Sequence, residues 1–210
     1  MQEALQLVLY TRVVTEAGFP MAVEIEKKYR LTKTQREELL RRLPEIGASF
    51  EREEFEENIL YGGGELNRAN SVLRLRLISS PDKQVQEPRR ALLTYKRRFP
   101  STSAIKHQRE DETEVSDAVA MALILESLGF VPALVYEKRR ATWRLGQAEI
   151  AIDELPFGLF MEIEGPEAEI RKVEKQLAIK RLQAEHATYP QLTALHGKPC
   201  NGLIEARFVS

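Results

Sequence analysis

The chain has 210 residues, 43% of them hydrophobic, which suits one domain with a real core and argues against wholesale disorder. Its 31 Lys and Arg against 32 Asp and Glu leave a formal net charge of -1. A globally basic nucleic-acid binder is therefore not indicated, and any polyanion must meet a locally cationic site. The single Cys200 excludes an intramolecular disulfide or a cysteine zinc cluster, and three scattered histidines give poor support to imidazole ligation. A metal here would be held by oxygen, which points to Mg²⁺ or Mn²⁺.

No apolar run approaches the ~20 residues of a membrane span. Residues 1–20 lack a basic n-region and are interrupted by Arg12 and Glu16, so they read as an N-terminal extension rather than a secretory signal. A cytoplasmic protein is the expectation. Val23 to Tyr29 alternates as a first strand. A helix follows, with a capping box expected at Thr34 and Glu37 and an apolar face of Leu39, Leu40 and Leu43 before Pro44 and Gly47. Strands are expected over Phe50 to Tyr61, Ser71 to Ile78, Ala91 to Phe99 and roughly Ile105 to Val115. Ser116 or Asp117 then caps a helix whose apolar face is Val119, Met121, Leu123, Ile124 and Leu128. Leu134 to Leu145, Glu149 to Leu155 and Leu159 to Glu164 complete about eight strands. A helix begins near Pro166 and runs to about Ala178, and a last short one begins at Thr188 with Tyr189, Leu192 and Leu195. Hairpin-length connections favour antiparallel pairing, giving an α+β chain with flanking helices.

The informative feature is what alternates with the apolar residues. One parity carries Glu24, Glu26 and Lys28 on the first strand, Arg74 and Arg76 on the third, and Thr94, Lys96 and Arg98 on the fourth. It carries Glu110, Glu112 and Glu114 on the fifth, Lys138 and Arg140 on the sixth, Asp153 on the seventh, and Glu162 and Glu164 on the eighth. Period-2 spacing puts each set on one strand face. A solvated outer face accounts for any one strand, but it does not require acids and cations to be sorted by strand. The interior of a barrel that holds a triphosphate and a divalent cation does, because clustered cations offset the phosphates and carboxylates hold the metal.

Glu24-Ile25-Glu26-Lys27-Lys28 resembles the E-x-E-x-K signature of the CYTH superfamily, the triphosphate tunnel metalloenzymes. In order, Leu73 to Arg76, Leu93 to Lys96, Arg109 to Glu112, Tyr136 to Arg140, and Asp153 to Gly158 leading into Glu162 to Gly165 support the likeness. The resemblance places the tunnel domain over residues 21–200, with residues 201–210 as a tail. It implies an eight-stranded antiparallel β-barrel, a Mg²⁺ or Mn²⁺ requirement, and a small-molecule triphosphate as partner. Carried over by motif, Glu24, Glu26, Glu162 and Glu164 would be metal ligands and catalytic acids, with Asp153 a further acid at the metal. Lys28, Arg74, Arg76, Lys96, Lys138 and Arg140 would grip the triphosphate, and Glu112, with Glu110 or Glu114, would face the tunnel.

The family includes hydrolases of inorganic or thiamine triphosphate and cyclases that form cyclic AMP from ATP. The aspartate-aromatic pattern usual on the second strand of the cyclases is missing from Glu57 to Gly64, so hydrolysis leads and adenylate cyclase follows. A non-catalytic polyphosphate binder is the rival from another class, and an RNA-end triphosphatase ranks low. A homodimer is compatible with the sequence. Trp143 is expected in the barrel wall, His107, His186 and His196 at the surface, and Tyr189-Pro190 as helix-start chemistry.

Overall fold

The computed structural model describes residues 13–14, 20–21, 23–63, 66, 71–81, 90–98, 106–178 and 181–209; the side chains of Glu24, Arg98, Lys106 and His107 lie outside those described. Most of the expected N-terminal extension and the loop around Pro88 are likewise outside them. In chain order the elements are β1 (Val13–Val14), β2 (Pro20–Met21), β3 (Val23–Leu31), α1 (Lys33–Glu45), β4 (Ser49–Gly62), β5 (Ser71–Ser79), β6 (Arg90–Arg98) and β7 (Lys106–Val115). They continue with α2 (Ala118–Ser127), β8 (Val131–Leu145), β9 (Ala148–Leu155), β10 (Gly158–Glu164), α3 (Glu167–Gln176), β11 (Gln183–Ala184), α4 (Tyr189–His196), β12 (Lys198–Cys200) and β13 (Leu203–Ala206).

The expected antiparallel eight-stranded architecture is present. Pairing runs from β3 to β10, β9, β8, β4, β5, β6 and β7, and β7 pairs again with β3, every contact antiparallel. Alternation then sorts each strand into an inner and an outer face. Outward-facing Tyr29, Ile150, Ile152, Met161 and Ile163 pack under α1 and α3 through Leu39, Leu43, Ile170 and Val173. A second cluster joins Leu73, Leu75, Ala91 and Val115 to Leu125 of α2. The third lies at one end of the barrel, where Leu60, Leu134, Tyr136 and Phe160 meet Tyr189 and Leu192 of α4. The helix thus stops that end, and the charged interior lies behind it.

Several local expectations are corrected. The first capping box is made by Thr32 and Gln35, two residues earlier than Thr34 and Glu37, and Pro44 lies inside the helix rather than ending it. A proline ring is costly where its nitrogen should donate and its ring meets the preceding turn; here the helix ends one residue later, with Ile46 as C-cap. Asp117 caps α2, its side chain accepting from the Ala120 amide. The apolar face expected on α2 is not the buried one: Val119, Leu123, Ile124 and Leu128 are exposed, and Leu125 is the residue that is buried. The helix is apolar all round, so periodicity could not tell one face from the other. Leu195 is also exposed. The segment expected as a tail instead contributes β13, which pairs in parallel with Leu134 to Tyr136 of β8. Gly63 has φ +100 and approaches Gly129, where an added Cβ would lie 2.8 Å from the carbonyl oxygen, so glycine is needed at this turn. Among the described residues no helix is long and apolar enough to cross a membrane.

Ile163 is fully buried between the sheet and α3. Ile163→Ala is expected to lower the unfolding free energy by about 2–5 kcal/mol in urea titrations; a change below 1 kcal/mol, on the order of a surface substitution, would contradict this packing.

Candidate active site

The inner strand faces enclose one cavity of about 450 Å³. It is lined by Glu26 and Lys28 of β3, Glu56 of β4, Arg74 and Arg76 of β5, Lys96 of β6, Glu110 and Glu112 of β7, Lys138 and Arg140 of β8, and Glu162 and Glu164 of β10. Every expected site residue but two is in this lining. Asp153 lies just beneath it, fully buried and in contact with Lys138 and Arg140. Glu24 sits at the right strand position, opposite Gln108, with its side chain outside the described set. On β7 the register places Glu110 and Glu112 inside, while Arg109 and Asp111 pair with each other at 2.7 Å on the other parity. Glu114 is exposed and pairs with Arg90, so it is not part of the tunnel.

The cations are aimed by acids on neighbouring strands. Arg140 donates from Nε to Asp153 Oδ1 at 2.7 Å and from Nη2 to Oδ2 at 2.6 Å, and it also donates to Glu162. Tyr189 donates its hydroxyl to Asp153 Oδ2 at 2.7 Å. Both Asp153 oxygens are thus engaged, and the aspartate orients Arg140. Lys28 reaches Glu162 at 3.1 Å and sits 3.6 Å from the Tyr189 ring centroid, a cation–π contact. Lys96 pairs with Glu110 at 2.7 Å. Glu112 Oε2 accepts from Thr94 at 2.7 Å and lies 3.8 Å from both Arg74 and Arg76.

Glu56 is the main residue that the sequence reading missed. Its carboxylate is 1% exposed and lies 3.1 Å from Lys138 Nζ, 3.8 Å from Arg76 Nε and 3.9 Å from Arg140 Nε. Burial alone would raise this carboxyl, but Lys138, Arg76 and Arg140 overcome burial and hold it well below the usual carboxylate range. Burial and the Arg140 charge lower Lys138, against the pull of Asp153 and Glu56. Burial, then Asp153 and Glu162, push the Tyr189 hydroxyl well above its ordinary value, so it stays a donor. Tyr189, expected only as helix-start chemistry, also lines the cavity, as do Arg52, Glu54, Arg144 and Glu149, which were not singled out. On β4 both parities of Glu51 to Asn58 are polar except at Phe55, so alternation gives little direction there, although Phe55, Ile59 and Tyr61 mark the opposite face.

The donor set fits a hard divalent cation. Glu26 and Glu164 are directly opposite each other on β3 and β10, and both line the cavity. Like charges opposed across a strand pair repel, and a cation between them reverses that term. Glu162 and Glu24 fall on the same faces of those strands, while Glu162 is engaged by Lys28 and Arg140. Among the described residues no three such side chains already form a cage. Glu26 and Glu164, with Glu24 and Glu162, are the carboxylates that would hold such a cation.

This barrel with its charged lining defines a class. The CYTH domain model matches residues 22–191, and the chain belongs to that family. It is 26% identical over 159 residues to a Methanocaldococcus jannaschii protein whose name assigns it provisionally to the adenylate cyclases, covering 74% of this chain and 83% of the relative. The PH1819 protein of Pyrococcus horikoshii has the same fold, with TM-score 0.66 and 25% identity over 82% of this chain and 98% of that one. So does an adenylyl cyclase candidate of Hippeastrum described as having a dominant triphosphatase activity, with TM-score 0.61 and 21% identity over 80% of this chain and 93% of that one.

Two outcomes follow from the geometry. Asp153→Asn removes the charge that meets both Arg140 donors, with Glu162 and Glu56 still in reach, and is expected to cost about 1–3 kcal/mol in urea unfolding at neutral pH; an unchanged midpoint would contradict the pairing. The folded Glu56 carboxyl titrates below its unfolded value of 4.5, so its stabilisation is present above that pH and is lost as pH falls toward the folded value. Unfolding free energies measured from pH 6 to about pH 3 should therefore fall less steeply in Glu56→Gln than in the parent chain, and parallel curves would contradict the assignment.

Proposed function

We propose that the chain hydrolyses a triphosphate, either inorganic tripolyphosphate or a small organic triphosphate, with Mg²⁺ or Mn²⁺ bound. The observation that carries this reading is the convergence of Lys28, Arg74, Arg76, Lys96, Lys138 and Arg140 on one cavity that also holds the opposed Glu26 and Glu164. Cations from β3, β5, β6 and β8 surround an elongated polyanion, whereas one phosphate would engage only a subset. Planar guanidiniums at Arg74, Arg76 and Arg140 suit paired phosphate oxygens, and Lys28, Lys96 and Lys138 supply point charges. A bound divalent cation supplies charge neutralisation at the phosphate oxygens and polarisation of phosphorus.

The chain's own residues do the rest. The arginines and lysines fix the chain of phosphates in line, and they gain strength because water is largely excluded from the buried walls. Glu112, held by Thr94, orients a water and takes its proton as the water oxygen bonds to the terminal phosphorus. The bridging phosphorus–oxygen bond breaks, and tripolyphosphate leaves as pyrophosphate and orthophosphate.

Cyclisation of ATP is the second reading, favoured by the name of the Methanocaldococcus relative. Against it, Leu60, Tyr136 and Phe160 pack with Tyr189 and Leu192 of α4 into an apolar cluster at one barrel end. The β4 stretch from Glu57 to Tyr61 also lacks the cyclase-type pattern.

With Mg²⁺ or Mn²⁺ the purified chain is expected to release orthophosphate from tripolyphosphate and to form no cyclic AMP from ATP. Chelation should abolish the activity, and Glu26→Gln or Arg140→Ala should lower kcat/KM by about 100-fold or more. Cyclic AMP formed without orthophosphate release, or turnover indifferent to chelator, would overturn the reading.

A further inference from the structure

The six proposed grip residues stand among acids that line the cavity or touch it, and Glu56 is set apart from the others. It is the acid whose neighbours within 4 Å include Lys138, Arg76 and Arg140 together. It lies on β4, outside the motifs that carry the family likeness of this chain, and neither Glu26 nor Glu164 is its register partner. Its register partner on β8 is Lys138 and its neighbour on β5 is Ile78, so the Lys138 contact is direct and the arginines reach in from adjacent positions.

Its hydrogen bonding is lopsided. Oε2 accepts from the Asn58 amide at 3.3 Å and forms an ion pair with Lys138 at 3.1 Å, whereas Oε1 has no hydrogen-bond partner among the described residues. A fully buried carboxylate oxygen without a donor is costly unless nearby charge compensates it. The Nε atoms of Arg74 and Arg76 and the Oδ1 of Asn58 are also buried without partners. The wall formed by β4, β5 and β8 is therefore arranged around one fixed anion, with hydrogen-bonding capacity left open.

We infer that Glu56 is a positioning residue that aims Lys138, Arg76 and Arg140 and offsets their charge, so that the tunnel holds a triphosphate in line without retaining the anionic product. The inference rests on the triphosphate reading of this cavity. Without Glu56 the three cations lose the one counter-ion they share; Asp153, Glu162 and Glu112 still neutralise them in part, and a bound phosphate chain takes up the charge left unmet. Products then bind more tightly, while the cations are no longer fixed for in-line attack. A carboxylate that served only to hold the fold would alter stability without separating binding from turnover.

The test measures pyrophosphate binding by calorimetry, without turnover, together with kcat and KM on tripolyphosphate. Glu56→Gln is expected to bind pyrophosphate about tenfold more tightly or better and to lose kcat by about tenfold. Glu56→Asp keeps the charge but draws it back by one methylene. It should keep pyrophosphate affinity within about threefold while kcat still falls about tenfold. Pyrophosphate affinity unchanged or weaker in a folded Glu56→Gln, or parental kcat in Glu56→Asp, overturns the inference. If Glu56→Gln does not fold, Glu56→Asp decides alone. Should the parent chain bind neither pyrophosphate nor tripolyphosphate, the triphosphate reading itself fails, a result distinct from either variant's.

Discussion

Taking an ion out of water costs on the order of several kcal/mol unless an opposite charge or a set of hydrogen bonds replaces the hydration it loses. The interior of this barrel contains many such ions, and its architecture follows from keeping each within reach of a partner. Asp153 answers Arg140, Glu162 answers Lys28 and Arg140, Glu110 answers Lys96, and Glu112 lies between Arg74 and Arg76. These pairs join different strands, so the charges that make the cavity also tie its walls together. A hydrophobic filling of similar volume would fold as well or better. A charged filling is therefore not explained by stability, which is consistent with the polyanion ligand proposed above.

Apolar packing is left to the other strand face and to the ends. α1 and α3 cover the outside of β3, β9 and β10, and α2 covers part of β5 and β6. α4 has a different job, because Tyr189 joins the apolar plug and also reaches the charged layer through Asp153 and Lys28. One side chain thus couples the stopper of the barrel to the residues that aim Arg140. The two barrel ends differ as a result: one is filled by aromatic and aliphatic residues, and the cavity lining elsewhere includes Arg52, Glu54, Arg144 and Glu149.

Much of this was legible because strand alternation has a period of two and the motif-bearing strands keep it cleanly. Lys28, Arg74, Arg76, Lys138 and Arg140 follow from parity alone once the barrel is accepted, and all line the cavity. The signal failed where both parities were polar, as on β4, so Glu56 and Arg52 went unmarked. It failed on α2, where apolar residues on every side hide which face meets the sheet. Tyr189 was recognised as helix-start chemistry, but its reach to Asp153 spans 36 residues of sequence and depends on where α4 docks. A local pattern cannot encode that contact. Thr32 and Thr34 both offer a capping hydroxyl, and Gln35 rather than Glu37 supplied the reciprocal bond.

In the proposed function, the carboxylates of β3 and β10 hold a divalent cation beside cations that grip a triphosphate. A crystal structure of the chain grown with Mn²⁺ and tripolyphosphate, with anomalous data collected for manganese, tests it most directly. An anomalous peak is expected between the carboxylates of Glu26 and Glu164, with phosphate density reaching Arg76, Lys138 and Arg140. Manganese bound away from those carboxylates, or the anion held only on the outer surface of an otherwise intact barrel, would contradict it.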